Sequence, residues 1–429
     1  MKRVLLLSTA TGYQTRSFGE AARALGVELV FGLDRCRGLE DPWGDQSLVV
    51  RYYDDDASVE AIVSAAAEGP IAGVVALGDR PTVLAARAAE SLGLRFHPPE
   101  AARISRNKLE SRRRLSAAGL PVPSFRSVEA TADPAAVAAD VRFPCVVKPL
   151  VLSGSRGVMR ANDPDEFARA FVRLRHILAA PDVRTLKDPA HGQILIEDYI
   201  PGAEFALEGV MDGGDLQTLA IFEKPDPLTG PFFEETIYVT PPRIPAEACQ
   251  RIAGGVAAAA AALGLRHGPI HAECRVNAGG VFVLEVAARP IGGLCARALR
   301  FSRDGGAAIA FEELLLRCAV GERVAGWARE ACASGVMMIP IPRAGVFRSV
   351  DGVDEARAVE GVGEVLVTAV PDQHLVLLPE GASYLGFIFA RAGSSDEVIV
   401  ALRAAHAALR FRIDRELPIA GAYLRFGGV

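Results

Sequence analysis

The chain has 429 residues, 50% of them hydrophobic, and its 47 Lys and Arg against 52 Asp and Glu leave a net charge of −5. At roughly 100–200 residues per domain that length suits two to four domains, and the missing basic excess excludes nucleic-acid or anionic-membrane binding by bulk charge. Five of the basic residues are lysines (Lys2, Lys108, Lys148, Lys187 and Lys224) and all the others are arginines.

Residues 4–7, Val-Leu-Leu-Leu, predict a short buried strand. Met1-Lys2-Arg3 imitates the start of a signal peptide, but the apolar stretch stops at Ser8, too early for one. A polar loop over 8–14, a helix ending near Leu25 and Gly26, and a strand over 27–31 follow. The strand pattern returns at 72–77, and 81–92 is an alanine-rich helix closed by Gly93. This alternation predicts a doubly wound α/β domain over residues 1–98. It has no GxGxxG at its first turn, so it carries no dinucleotide fingerprint.

Pro98-Pro99 mark a boundary, after which a basic helix over 107–118 is closed by Gly119. Strand patterns dominate from 143 to 289, broken by helices near 163–179 and 245–263, and a helix over 308–318 follows. The run 252–265 is the longest uncharged apolar stretch, 14 residues. It falls short of the ~20 residues that span a bilayer and reads as a packed helix. Beyond 331 the pattern restarts with strands over 336–341, 363–370 and 384–390 and helices over 354–359 and 395–409, a further α+β domain. The seven cysteines (Cys36, Cys145, Cys249, Cys274, Cys295, Cys318 and Cys332) show no CxxC pair, and the seven histidines no zinc spacing. Reduced, buried thiols and a cytoplasmic protein are expected.

Three segments carry chemistry. In the first, a strand over 145–148 ends on Lys148 and runs into Leu152-Ser-Gly-Ser-Arg-Gly-Val158. An ammonium beside a glycine turn offers a polyphosphate both charge and close backbone N–H groups. The lysine precedes the turn and no GK[ST] follows, so this is not a Walker loop; a plain surface turn is the bland alternative. In the second, Glu197 and Glu204 flank Pro201-Gly202, and on the residues alone they read as two solvated carboxylates at a turn. The third is a hairpin. Alternation puts His271, Glu273 and Arg275 on one face of a strand over 268–276. A three-residue loop over 278–280 would pair Asn277 with Val281 and place Glu273 opposite Glu285 on the returning strand. Facing carboxylates are destabilising unless something positive lies between them, and Mg²⁺ is commonly held by one or two carboxylates plus substrate phosphates. Arg289, four residues on and beside Gly292-Gly293, suits bidentate capture of a carboxylate or phosphate.

Taken in order from Lys108 to Gly293, these residues resemble the ATP-grasp superfamily of carboxylate–amine ligases, and most closely the bacterial L-amino-acid ligases. Gly-Ser-Arg-Gly-Val158, Glu223-Lys224-Pro225 with Gly230-Pro-Phe-Phe233, and Glu285-Val-Ala-Ala-Arg-Pro-Ile-Gly-Gly293 carry the closer likeness. The resemblance implies an α/β and α+β multidomain ATP-grasp fold. A Rossmann-like domain would span 1–98, an ATP-grasp domain 99–330 with a lid at about 124–199, and an extra α+β domain 331–429. It implies that Lys108 and Lys148 reach ATP phosphates beneath a flexible loop of Ser153, Gly154, Ser155, Arg156 and Gly157. Glu197, Tyr199 and Glu204 would line the adenine and ribose side, and Lys224 would join the nucleotide site, with Glu235 as a further phosphate or substrate contact. Glu273 and Glu285 would bind Mg²⁺, with Mn²⁺ as the alternative ion, and Arg289 with His271 would serve the reacting groups. Many relatives have asparagine where this chain has Ala287, which implies fewer protein ligands to the metal, and arginine where it has His271.

The activity so implied is ATP-dependent joining of an amino acid, or a related carboxylate, to an amine through an acyl phosphate, with release of ADP and phosphate. Small-molecule partners are expected, with no nucleic acid and no membrane, and a homodimer is compatible with the reading. Two rivals stand beside it. A biotin-carboxylase-like or purine-pathway ligase would activate bicarbonate or formate, which the C-terminal domain disfavours. A nucleotide-binding regulator without catalysis is disfavoured by the presence of both lysines, both metal carboxylates and Arg289. The substrate pocket is expected between residues 225–242 and the loop after Arg289.

Overall fold

The computed structural model describes residues 1–9, 13–34 and 47–415. Cys36 and positions 10–12 of the expected polar loop lie outside the described residues.

The first unit is a parallel sheet in the order Ser47–Val49, Val27–Leu33, Lys2–Ser8, Ile71–Leu77. Val4, Leu5, Leu6 and Leu7 are each 0% exposed. Leu5 and Leu7 enter one core while Val4 and Leu6 enter another, the period-two signature of a strand covered on both faces. The chain leaves Lys2–Ser8 towards one side of the sheet and returns on its other side at Ile71–Leu77, so the ends of these two strands form a topological switch point. Asp79 lies just beyond it, two residues before Pro81 opens helix Pro81–Ser91.

Pro98 and Pro99 are not a slack linker. Pro98 is the cap of helix Pro99–Arg106, and a second helix, Lys108–Ala117, starts at once because the Asn107 side chain accepts from the Leu109 and Glu110 N–H groups. An antiparallel sheet follows in the order Phe125–Glu129, Gln193–Asp198, Cys145–Pro149, Met159–Ala161. Helix Pro164–Leu178 lays Phe167, Phe171 and Leu174 against it, all 0% exposed.

The largest sheet has eight strands, Gly280–Ala287, His267–Asn277, Ala203–Asp212, Asp215–Lys224, Ile237–Thr240, Ala333–Ile339, Gly386–Ala392 and Val362–Val367 in spatial order. Ile237–Thr240 bonds to Asp215–Lys224 on one side and Ala333–Ile339 on the other, so one continuous sheet carries the hairpin and the C-terminal strands. The alanine-rich run is helix Ala246–Leu263, ended by left-handed Gly264 at φ +80°. The helix expected over 308–318 begins only at Phe311, because Ile309–Ala310 pairs as a short strand. Among the described residues no helix is long and apolar enough to cross a membrane. The six described cysteines are free; Cys145, Cys274 and Cys295 are buried, and Cys249, Cys318 and Cys332 partly so.

Candidate active site

The two sheets, the loop after Ile71–Leu77 and the C-terminal strands enclose a cleft of about 360 Å³. Lys108, Lys148 and Ser153–Ser155 line it, as do His271, Glu273, Glu285 and Arg289. Glu197, Tyr199 and Glu204 also reach it. Three of the expected residues do not. Arg156 turns to Asp182, with Nη1 2.6 Å from Oδ2. Gly157 packs behind the turn. Lys224 sits beneath the carboxylates rather than on the surface of the cleft.

Lys108 opens its helix and reaches back over the turn: its Nζ donates to the Leu152 carbonyl at 2.8 Å and lies 3.2 Å from Glu285 Oε2. Lys148, at the end of its strand, is paired with Glu197, and burial lowers its pKa from the usual lysine value. Between them the turn is left-handed at Gly154 (φ +63°), Ser155 (φ +56°) and Gly157 (φ +75°). Gly157 also has no room for a side chain, since a Cβ would stand 2.8 Å from Leu174 Cδ1. Its N–H donates to the Pro379 carbonyl at 2.9 Å, so a C-terminal segment fastens the turn from outside.

Glu197 and Glu204 are not solvated at a turn; they are 4% and 7% exposed. Glu197 takes the guanidinium of Arg112 (Nε–Oε1 2.7 Å) and the ammonium of Lys148. Burial pushes its carboxyl up, but these two cations prevail and hold it at about 2. Glu204 accepts from Lys224 Nζ at 2.8 Å and Arg275 Nε at 2.8 Å. Arg275 also donates to the Ile200 and Leu228 carbonyls, and it and Arg160 place their guanidinium carbons 5.2 and 4.2 Å from the Tyr199 ring centroid.

Glu273 does face Glu285, but not through the expected loop. Asn277 pairs with Gly280, so only Ala278 and Gly279 form the turn. That register alone would set Leu284 opposite Glu273. A bulge between the Cys274 and Glu273 pairs absorbs Leu284 and restores the facing carboxylates. Positive charge lies beside both: Lys224 Nζ is 3.2 Å from Glu273 and Lys108 Nζ 3.2 Å from Glu285. Burial would raise the Glu273 carboxyl, but Lys224 and His271 hold it well below the usual range.

Glu204, Glu235 and Glu273 bring oxygens within 4.8 Å of one another, yet the Lys224 ammonium contacts all three and already supplies a cation there. Glu285 stands outside that knot. Glu273 and Glu285 keep 23% of their side chains exposed, both to the cleft, so an all-oxygen site for Mg²⁺ completed by phosphates fits this pair.

Besides Arg112 and Arg160, two charged partners of the site have no counterpart in the sequence expectations. Asp79 binds Arg289 edge to edge, and Glu208, 0% exposed, accepts from His271 Nδ1 and from the Ile291 N–H at 3.0 Å. Burial disfavours a charged His271, but Glu208 outweighs it and raises the ring to about 9. Both partners had a signal: Asp79 follows a buried parallel strand at its C-terminal end, and Glu208 interrupts an apolar strand, where a buried charge needs a partner. The far end of the cleft is apolar. Besides Tyr238 and Ile291 it is lined by Met338, Tyr384 and Phe387, so the C-terminal strands complete a pocket expected from residues 225–242 and the Arg289 loop alone. Glu235 sits at this end, pushed up to about 7 by burial.

Three family models match in succession: an ATP-grasp N-terminal domain over residues 19–95, an ATP-grasp domain over 141–298 and an L-amino acid ligase C-terminal domain 2 over 337–414. The fold is similar to the crystal structure of an L-amino acid ligase from Bacillus licheniformis, with a TM-score of 0.78 and 26% identity over 97% of this chain and 99% of that one. The chain is 26% identical to the uncharacterized protein y4rH of Sinorhizobium fredii over 93% of its own length and 81% of the relative's. It is 27% identical to the alanine–anticapsin ligase of Bacillus subtilis over 44% of this chain and 42% of that enzyme, less than half of either.

Proposed function

From the premise that this chain is an ATP-grasp, L-amino-acid-ligase-like protein, we propose that it joins an amino acid carboxylate to an amine using ATP, releasing ADP and phosphate. One observation carries the proposal: two lysines, a glycine turn, two facing carboxylates and a buried arginine converge on one cleft from four separate segments of the chain. In this reading the chain comprises the three units 1–98, 99–330 and 331–429, with 124–199 as the lid that excludes water from an acyl phosphate.

Lys108, Lys148 and the N–H groups of the turn orient the phosphates beside the substrate carboxylate. Glu273 and Glu285 would hold Mg²⁺, which would supply screening of the phosphate charge. Arg289, steadied by Asp79, and His271, kept charged by Glu208, offer N–H donors to the oxyanion that forms when the amine adds. Glu235 lines the same cleft, its carboxyl pushed up to about 7 by burial. The apolar end, lined by Met338, Tyr384 and Phe387, suits an apolar side chain on one of the two substrates.

The test is ADP release with Mg²⁺ across paired amino acids, with mass detection of the product. Release that depends on a pair and yields the mass of a dipeptide supports the reading; no release with any pair or any single carboxylate overturns it. Glu285→Gln should abolish turnover without loss of folding.

A further inference from the structure

The strands that carry Glu273 and Glu285 would not bring them together without an extra residue. From Asn277–Gly280 to Cys274–Val283 the pairs step one by one; beyond, Glu273 meets Glu285 and Leu284 is left over. In a regular strand successive carbonyls point to opposite edges. Here the carbonyls of Val283 and Leu284 turn to the same guanidinium: Arg112 donates from Nη1 to Val283 at 2.8 Å and from Nη2 to Leu284 at 3.2 Å. Arg112 is 2% exposed and does not line the cleft. It stands one helical turn after Lys108 on helix Lys108–Ala117, and its Nε binds Glu197, the partner of Lys148.

We propose that Arg112 is a positioning residue for the metal: by holding both carbonyls of the bulge it pins Leu284 and so keeps Glu285 opposite Glu273. Among the described residues Gly280–Ala287 is an edge strand, with no further strand outside it to fix its register. If the bulge slid by one pair, Leu284 would face Glu273 and Glu285 would turn to the other face. The five donors of a planar guanidinium can satisfy two carbonyls and a carboxylate at once; a lysine ammonium cannot span them. The same side chain thereby ties the metal carboxylates to the helix of Lys108 and the strand of Lys148. The inference rests on the reading of Glu273 and Glu285 as metal ligands.

The experiment is a Mn²⁺ titration of the full chain with a non-hydrolysable ATP analogue, followed by the EPR signal of free Mn²⁺, with circular dichroism as the check on folding. Arg112→Met and Arg112→Lys should each weaken Mn²⁺ binding tenfold or more while the spectrum is kept. Deleting Leu284 in the Arg112→Met background removes the bulge, leaves every other pair of the hairpin intact and should restore the affinity to within threefold of the wild type. Wild-type affinity in Arg112→Lys, or a folded double variant without rescue, would overturn the proposal. A wild-type chain that binds no Mn²⁺ with the analogue would instead overturn the ligand assignment beneath it.

Discussion

Arg289 and Asp79, 210 residues apart in sequence, meet edge to edge: Nε lies 2.8 Å from Oδ1 and Nη2 3.1 Å from Oδ2. The pair joins the switch point of the parallel sheet to the loop that follows the Glu273–Glu285 hairpin. Burial opposes an ionised Asp79, but Arg289 beside it holds the carboxyl below its usual range. The third guanidinium nitrogen donates to the Pro290 carbonyl at 3.0 Å, so the arginine is oriented before any substrate arrives.

Asp79→Asn leaves a buried guanidinium without its counter-charge, and stability should fall by about 3–5 kcal/mol. Replacing both residues should cost less than the sum of the single changes, because neither then leaves an uncompensated charge. Urea unfolding of the three variants measures both; strictly additive losses would mean that the two side chains do not act as a pair.

Glu208 holds two parts of the site, the His271 ring and the backbone of Ile291 just after Arg289. Glu208→Gln should lower kcat by about 10²-fold, in the range seen when one oxyanion donor is lost, and leave KM for ATP nearly unchanged. A variant affected only in KM for ATP would place Glu208 outside the reacting end of the cleft.

Gly157 is left-handed and lacks room for a Cβ, whereas Gly213 is left-handed (φ +71°) with nothing within 4 Å of the place a Cβ would take. Gly157→Ala and Gly213→Ala should both lose about 1 kcal/mol or more of stability through backbone strain. Only Gly157→Ala should also raise KM for ATP, about tenfold, because it displaces the Ser153–Gly157 turn at the cleft. Equal KM values in the two variants would argue that the turn does not contact nucleotide.

His97 is 1% exposed; the Arg266 N–H donates to its Nδ1, leaving Nε2 to face the Pro269 carbonyl at 3.1 Å. Burial pushes the ring down from its ordinary 6.5 to about 4. The unfolded chain therefore takes up a proton that the folded one refuses. Its contribution is complete above pH 6.5 and is lost as the pH falls to 4, roughly 3 kcal/mol in all. In His97→Gln the fall in stability between pH 6.5 and 4 should be shallower by that amount, read from urea midpoints. An unchanged slope would show that His97 does not titrate in that window.

Much of the backbone is legible in short windows. Val4–Leu7 mark a strand, Gly26, Gly93 and Gly119 close helices, and Lys148 ends a strand just before a glycine turn. Glu197 and Glu204 look solvated in sequence because their burial depends on Arg112 and Arg275, 85 and 71 residues away. The facing of Glu273 and Glu285 is expected in sequence through the wrong turn: a two-residue loop and a bulge lead to the same pairing as a three-residue loop.

By itself, then, the sequence determined the periodic elements and the residue types able to meet phosphate and metal. These follow from local geometry, the two-residue repeat of a strand and the freedom of glycine. It also set the scarcity of lysine, and the structure brings Lys108, Lys148 and Lys224 into contact with the carboxylates of the cleft while Lys187 stays exposed. Only the tertiary structure decided which carboxylate each buried cation would hold. That choice is long-range: a charge removed from water must find its partner wherever folding brings one, and nothing in the neighbouring residues names Asp79 for Arg289 or Glu208 for His271.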